Sequence, residues 1–499
     1  MSFVPTVTDI GSIYSLNVEA QSKRYAQLAK SFEELYGSKP EFTARAPGRV
    51  NIIGEHIDYC GFPVFPMAIA PDTLIAVRAN GTDRVRVANV NADKYPARDF
   101  SASGDVFDIN SALHEWSNYF KCGYRGVFDH LGRKDGRGFD ALLDGTVPAG
   151  SGLSSSAAFV CATELAVQRI NGFELTQSEL ASIAASSECH VGVNSGGMDQ
   201  TASIMGQQGS ALFIEFHPEL RTTPVKFPSI SPSIAFVIAN TLVVSDKHVT
   251  APVCYNLRVV ETRVGALILA KHLGISERPA CKDVDPLTFK IVMCEYFADQ
   301  ADSGKDEVQV WIDRLSFMLE ESKKAFGSQP DGYTRESMAA ALDISPEALS
   351  VKVHENQFPA RADKFQLLNR ALHAFSETLR VVKFRQICEQ PSGDVARALG
   401  DLMNDSQDSC RDLFECSCPE LDEICAIARR AGSFGSRLTG AGWGGCSVHM
   451  VPGDKVEEVN KALAEEYYAK RFPGLTKEQL DDALFTTAPG CGACYYNEA

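Results

Sequence analysis

Four clusters of side chains in this sequence have the types and spacing to do chemistry. The densest is Arg45-Ala46-Pro47-Gly48-Arg49-Val50-Asn51-Ile52-Ile53-Gly54-Glu55-His56-Ile57-Asp58-Tyr59, which sets arginines, carboxylates, a histidine and an asparagine around a short apolar strand and a glycine turn. Charged donors and acceptors of this kind bond the hydroxyls of a sugar bidentately, so the composition points to a polyhydroxylated ligand. A structural salt-bridge turn is the plain alternative, since ion pairs are commonly only structural.

The second cluster is the loop Pro148-Ala149-Gly150-Ser151-Gly152-Leu153-Ser154-Ser155-Ser156-Ala157. Small residues let backbone N–H groups approach an anion at a helix N-terminus, which makes this a phosphate cradle as readily as an ordinary serine-capped turn. No Gly-Lys-Ser or Gly-Lys-Thr follows, so it is not a Walker A loop. The hydroxyl run behind the glycines favours phosphate and Mg²⁺, because Mg²⁺ prefers hard oxygen ligands and shares them with a nucleotide.

The third cluster, Asn194-Ser195-Gly196-Gly197-Met198-Asp199-Gln200, is a glycine-rich turn presenting one carboxylate. Alone, such an aspartate is a helix cap; in company with Arg49 it is a catalytic acid–base group whose charge the guanidinium stabilises. The fourth, Gly440-Ala441-Gly442-Trp443-Gly444-Gly445, matches GxGxxG as a string, but the run Cys446 to Val451 behind it reads as a strand where a dinucleotide fold requires a helix. The remaining readings are close approach of the backbone to a neighbouring loop or to substrate, or a purely structural turn.

These clusters need elements to position them. Apolar residues at helical spacing predict a helix over 17–36 with Gly37 as its stop, and short apolar runs between 42 and 86 predict strands. Phe139 to Val147 reads as a strand, followed by the glycine loop and an Ala-rich helix from Ser154 to Ile170 that Asn171-Gly172 ends. Thr176 and Glu179 form a capping-box pattern opening a helix through His190. Ile234 to Val244 reads as a buried strand, 256–273 as an amphipathic helix, 280–350 as a polar, helical peripheral insertion, and 356–405 as strongly helical. The last segment reads as glycine-rich turns alternating with short strands. The composite is α+β, with two domains expected over 1–235 and 236–499.

Composition narrows the class. In 499 residues, 48 Lys and Arg stand against 64 Asp and Glu, a formal charge of −16, which argues against nucleic-acid binding. The chain exceeds the roughly 250–300 residues at which single cores stop growing. No stretch approaches the roughly 18 apolar residues of a membrane span, and Met1-Ser2-Phe3-Val4-Pro5 has no signal-peptide character, so a cytoplasmic, membrane-free protein is expected. Fifteen cysteines, an odd number without a secretory signal, read as reduced and mostly buried thiols. Neither Cys410, Cys416, Cys418 and Cys425 nor the pair Cys491 and Cys494 has zinc-site spacing.

Together the four clusters resemble the galactokinases of the GHMP family of small-molecule kinases. Gly48 to Tyr59 resembles the galactokinase signature, Pro148 to Ala158 the family's phosphate loop, and Leu438 to Cys446 its C-terminal glycine motif. Val191-Gly192-Val193-Asn194, Ile238-Ala239-Asn240-Thr241 and Tyr255-Asn256-Leu257-Arg258-Val259-Val260-Glu261 resemble the fungal members most.

The resemblance implies a two-domain GHMP kinase fold, with a ribosomal-protein-like N-terminal α/β domain, a C-terminal α+β domain, and an active site in the cleft between them. It assigns sugar binding to Arg49, Glu55, His56, Asp58, Ser195, Gly197, Asp199 and Tyr255. ATP contacts fall on Gly150, Gly152, Ser154, Ser155 and Ser156, with Ser245, Asp246 and Lys247, and Trp116 borders the adenine pocket. Ser156 and Glu188 are the implied Mg²⁺ ligands. Ser195 and Asp246 stand where fungal relatives carry Asn; the first bears on a sugar hydrogen bond, and the second adds a negative charge near the phosphates that Lys247 or Mg²⁺ must offset.

The implied reaction moves the γ-phosphoryl group of ATP to the anomeric hydroxyl of α-D-galactose, with Asp199 taking the C1 hydroxyl proton and Arg49 holding Asp199 ionised. Ser195-Gly196-Gly197-Met198-Asp199 and Glu415 to Asp422 also resemble N-acetylgalactosamine kinases, which only the pocket around C2 would distinguish. In fungi the fold also serves as an ATP- and galactose-dependent partner of a transcriptional repressor. Sensor-only relatives lack the Ser-Ala step of the phosphate loop, and Ser156-Ala157 is present here, which favours a working kinase and leaves a dual role open.

Overall fold

The computed structural model describes residues 2–111, 113, 115–192, 196–243, 250–300, 304 and 306–498. The chain forms two compact units, one made of Met1–Val50, Pro66–Leu212 and Thr487–Ala499, the other of Asn51–Phe65 and Phe213–Thr486.

In the first unit, the strands β1 (Thr6–Val7), β2 (Phe42–Asn51), β3 (Pro66–Ala79), β4 (Arg84–Asn89), β5 (Arg98–Ser101) and β6 (Phe139–Gly145) join the C-terminal strand Cys494–Tyr496 in one sheet. Its order is β1, the C-terminal strand, β2, β3, β6, β4, β5. β3 and β6 run antiparallel with Ile75 opposite Leu143, β4 runs parallel to β6, and the C-terminal strand pairs antiparallel to β2 with Cys494 opposite Arg45.

Both faces of this sheet are covered, which is why β2 is buried along its whole length. On one face Leu74, Ala76, Ala88 and Leu142 meet Tyr25, Leu28 and Phe32 of α1 (Val18–Tyr36), which stops at Gly37 in the left-handed conformation. Against the other face of β3 lie α3 (Ser155–Asn171) and α5 (Met198–Met205), with α2 (Ser117–Leu131) and α4 (Gln177–Ser187) behind them. The capping box expected at Thr176 and Glu179 is present, and Gly172 ends α3 at φ +69°.

Further along, β7 (Ser210–Glu215) pairs with β8 (Arg221–Lys226). The second unit has a four-stranded sheet in which β9 (Ile234–Asn240), β10 (Gly435–Thr439), β11 (Cys446–Pro452) and β12 (Leu484–Thr487) take the order β10-β11-β9-β12. β11 is antiparallel to both β10 and β9. Val237, Ala239 and Val451 are buried with Ile424 and Ile427 of the helix Pro419–Arg430 and with Val459, Leu463 and Tyr467. Helices Tyr255–His272, Leu367–Glu389 and Val395–Asp412 build the rest of the core. In the segment read as a peripheral insertion, the helix Glu307–Phe326 lies along Leu367–Glu389 and buries Leu315, Met318 and Phe326.

The C-terminal segment is more helical than the turn-and-strand reading expected. Val456–Leu463 continues as helix through Arg471, and Lys477–Ala483 is helical behind a capping box at Thr476 and Gln479. Val456, Val459 and Leu463 carry the 3.6-residue spacing that decides this, in a stretch whose glycines are few.

Candidate active site

In the first unit, the glycine loop lies where β2 passes the N-terminus of α3. Gly150 and Gly152 have φ +70° and +78°, and Ser154, at φ +61°, is left-handed although it has a side chain. Such a conformation costs a non-glycine residue of order 1 kcal/mol and persists only where the surroundings impose it. Ser154 makes no side-chain capping bond, and its Oγ is buried without a hydrogen-bond partner among the described residues. The first-turn N–H groups, with Ser155 and Ser156 on that turn, thus have no cap from Ser154, at a helix end where the dipole favours negative charge. Trp116 stacks on Phe159 of α3, with ring centroids 6.2 Å apart and planes 14° apart, and its Nε1–H donates to the Pro96 carbonyl at 3.1 Å.

β2 is fastened to this loop. A Cβ on Gly48 would lie 2.7 Å from the Leu153 carbonyl oxygen, so only glycine allows the approach. The Arg49 N–H donates to that same carbonyl at 3.1 Å, and Arg49 Nη1 donates to the Gly152 carbonyl at 2.6 Å. The remaining nitrogens of the guanidinium turn to Asp199: Nε at 2.7 Å and Nη2 at 2.6 Å, both from Oδ1. Arg49 therefore joins the glycine loop to the carboxylate. Among the described residues no donor reaches Oδ2, on a side chain that is 24% exposed.

Asp199 lies in the first turn of α5, behind Gly197, whose φ of +93° turns the chain into the helix. Ser203 of α5 donates to the Pro47 carbonyl at 2.6 Å, docking the helix on β2. Next to Asp199, Gln200 Nε2 donates to Glu188 Oε2. Glu188 is 1% exposed and lies near a second buried carboxyl, Glu164 of α3, whose two oxygens have no hydrogen-bond partner among the described residues. Burial, reinforced by the Glu188 charge, pushes the Glu164 pKa well up. Ser195, Ser245, Asp246 and Lys247 lie outside the described residues.

The second unit holds the other part of the signature. Glu55, 2% exposed, accepts from the Gly440 N–H on Oε1 at 2.9 Å and from Asn51 Nδ2 on Oε2 at 3.2 Å. Arg437 Nη1 lies 2.8 Å from the same Oε2. His56 is left-handed, at φ +61°. Its Nε2 is 2.9 Å from the Ala441 carbonyl, which can only accept, so Nε2 carries the hydrogen and Nδ1 accepts from Tyr59 Oη at 2.9 Å. Burial holds the imidazole neutral, with its pKa lowered to about 3. Both ring nitrogens are thereby engaged inside the protein, and the ring packs among Tyr59, Tyr255, Phe414 and Trp443. Asp58 is half-buried, and its carbonyl accepts from Gly61 at 2.8 Å. Tyr255 opens its helix with its ring 5.8 Å from that of His56.

The second glycine run does approach a neighbouring loop: a Cβ on Gly442 would lie 2.0 Å from the Cys416 carbonyl oxygen, to which the Trp443 N–H donates at 2.7 Å. The strand expected behind it is β11, in keeping with the rejected dinucleotide reading.

Gln200 belongs to the third cluster, although its bond to Glu188 did not show there. Arg437 and Glu377 were not singled out by sequence reasoning: Arg437 stands three residues before Gly440, so proximity to a named cluster was the available signal. Glu377, in the middle of an amphipathic helix, had none. Among the described residues no group of three or more His, Cys, Asp or Glu is placed to hold a metal, and all fifteen cysteines are free.

Comparison with known proteins bears on the same segments. Residues 30–79 match the galactokinase galactose-binding signature, 118–207 the GHMP kinases N terminal domain and 394–469 the GHMP kinases C terminal domain. The chain is 40% identical to a galactokinase of Saccharomyces cerevisiae over 502 residues, covering 95% of each chain. It is 40% identical to one of Candida parapsilosis over 501 residues, covering 98% of this chain and 97% of that one. Among solved structures, a Lactococcus lactis galactokinase complexed with galactose aligns with a TM-score of 0.66 at 24% identity, covering 94% of this chain and 99% of that one, which is a likeness of fold.

Proposed function

The chain belongs to the galactokinase family, and from that membership we propose that it phosphorylates α-D-galactose on the anomeric C1 hydroxyl with ATP, yielding galactose 1-phosphate and ADP. The observation that carries the chemistry is the Arg49–Asp199 pair, in which the guanidinium occupies one carboxylate oxygen and leaves the other for a substrate hydroxyl.

In this mechanism Asp199 Oδ2 accepts the C1 hydroxyl proton, the freed O1 forms a bond to the γ-phosphorus, and the bond from that phosphorus to the β–γ bridging oxygen breaks, releasing ADP. Arg49 holds Oδ1 with Nε and Nη2 and so orients the carboxylate. Phosphoryl transfer proceeds through a loose transition state, so most of the rate enhancement comes from positioning and charge stabilisation, and base catalysis is secondary. Gly150, Gly152, Ser154, Ser155 and Ser156 would cradle the phosphates, with Ser245, Asp246 and Lys247 contributing from outside the described residues and Trp116 bordering the adenine. Glu55, Asp58, Ser195, Gly197 and Tyr255 would read the sugar, with His56 giving a ring face and holding Tyr59.

The donor chemistry fits Mg²⁺ at Ser156 and Glu188: a hydroxyl and a buried carboxylate are hard oxygen ligands, and too few protein groups for a closed cage suits an ion that keeps waters and phosphate oxygens. When bound, Mg²⁺ would neutralise charge developing on the phosphates. A cytoplasmic location belongs to the same proposal, supported by the free thiols; among the described residues no helix is long and apolar enough to cross a membrane.

The test is ADP release from MgATP by the purified chain with galactose, N-acetylgalactosamine, glucose or no sugar. Turnover with galactose above all others is expected; preference for N-acetylgalactosamine or silence with every sugar would overturn the assignment.

A further inference from the structure

Glu55 has a problem that its own loop does not solve. A carboxylate 2% exposed needs its charge compensated inside the protein, because burial penalises an uncompensated charge. It also hangs on a turn in which Gly54 has φ +106° and His56 is left-handed, so the turn needs holding.

Two side chains from distant parts of the same unit answer both needs. Arg437 of β10, fully buried, places Nη1 2.8 Å from Glu55 Oε2 and donates with the same nitrogen to the Asn51 carbonyl at 3.1 Å. Glu377 of the helix Leu367–Glu389, also fully buried, accepts on Oε1 from the N–H of Gly54 at 2.8 Å and of Glu55 at 3.4 Å. On the same oxygen it accepts from Ser406 Oγ at 2.6 Å. One turn earlier in that helix, His373 Nε2 meets the Glu55 carbonyl at 3.0 Å.

The charges alternate along a chain of contacts. Arg380 Nε donates to Glu377 Oε2 at 2.8 Å, Glu377 lies 3.9 Å from Arg437, and Arg437 holds Glu55. Because Arg380 satisfies Glu377, the Arg437 charge is left mainly to Glu55. Burial alone would raise the Glu377 pKa; Arg380 and Arg437 outweigh it and hold the carboxyl at about 2.

We propose that Arg437 and Glu377 are positioning residues for sugar recognition: Arg437 aims the Glu55 carboxylate, and Glu377 holds the Gly54–Glu55 peptide that carries it. The proposal rests on the reading that Glu55 binds the sugar. Lysine at 437 would keep the charge on a flexible stem, without the rigid guanidinium plane that sets Nη1 between Oε2 and the Asn51 carbonyl.

The experiment measures KM for galactose and for ATP, kcat, and galactose binding by calorimetry, on the full chain and its R437M, R437K, E377Q and E55Q variants, each checked for folding by circular dichroism. R437M is expected to raise galactose KM and the galactose dissociation constant by about tenfold or more, the scale of a lost charge-assisted hydrogen bond. ATP KM should change far less, and R437K should recover part of the loss. E377Q keeps an acceptor for the peptide N–H groups and should raise galactose KM by more than it lowers kcat. Should R437M not fold, R437K and E377Q carry the decision. Folded variants with wild-type galactose KM, an equal rise in both KM values, or an E55Q chain with unchanged galactose KM would overturn the proposal. A wild-type chain that neither binds nor phosphorylates galactose would instead defeat the proposed function.

Discussion

Arg49 reaches Asp199 with two nitrogens, and both converge on a single oxygen, Oδ1, at 2.7 and 2.6 Å. A side-by-side pair would have occupied both carboxylate oxygens and spent the acceptor that a substrate needs. The end-on arrangement holds the aspartate by one oxygen while the third guanidinium nitrogen grips the glycine loop at the Gly152 carbonyl.

Removing that carboxylate should therefore cost rate rather than sugar affinity. Asp199→Ala is expected to lower kcat by on the order of 10²–10⁴, the usual worth of a positioned general base, with a much smaller change in galactose dissociation constant. Steady-state kinetics with calorimetry checks this, and near-normal turnover would remove Asp199 from the chemistry.

Glu188→Gln keeps the oxygen that accepts from Gln200 and removes the charge. The expected outcome is a higher Mg²⁺ concentration for half-maximal rate, read from a Mg²⁺ titration at saturating ATP and galactose. An unchanged titration would place the metal elsewhere.

Gly48→Ala would force a Cβ to 2.7 Å from the Leu153 carbonyl and 3.1 Å from Val147 Cγ1. Either the loop or β2 must shift, and the Arg49 N–H bond to Leu153 goes with it. We expect a loss of about 1–3 kcal/mol of stability from overpacking, with a raised ATP KM. Thermal unfolding and ATP kinetics would test it, and a wild-type ATP KM would show that the contact does not shape the phosphate loop.

Acid should destabilise the fold through buried imidazoles. His56 and His449 have pKa values lowered to about 3 and His373 to about 4, all driven first by burial, against an ordinary 6.5. The unfolded chain binds protons on these groups that the folded chain refuses, so their stability is present above pH 6.5 and is lost as pH falls toward 3–4. Each histidine can contribute a slope of up to about 1.4 kcal/mol per pH unit within that window. Denaturant midpoints measured from pH 7 to pH 4.5 should fall, and His449→Phe should flatten the slope; a pH-independent midpoint would contradict the buried neutral state.

What the sequence by itself determined is what depends on neighbours in the chain. The stop of α1 at Gly37, the capping box at Thr176 and Glu179, and the passage from glycine loop to α3 were legible because caps, turns and periodicity act within a few residues. The residue types of the first two clusters likewise pointed to sugar and phosphate ligands. Only the tertiary structure decided that Arg437 faces Glu55, that Glu377 holds the peptide at Gly54, and that both ring nitrogens of His56 are already engaged. The contacts of Arg437 with Glu55, of Glu377 with Gly54 and of His56 with Ala441 join residues hundreds of positions apart, through pairings of β10 with β11 and the docking of a helix whose inward polar residue breaks no pattern. It also decided that Asn51–Phe65 belongs with residues beyond 212, because the chain leaves one unit along β2 and returns along β3 with no change of composition at either crossing. A hydrogen bond between remote side chains leaves no period in the sequence, and burial in a shared core is what brings the two ends of it together.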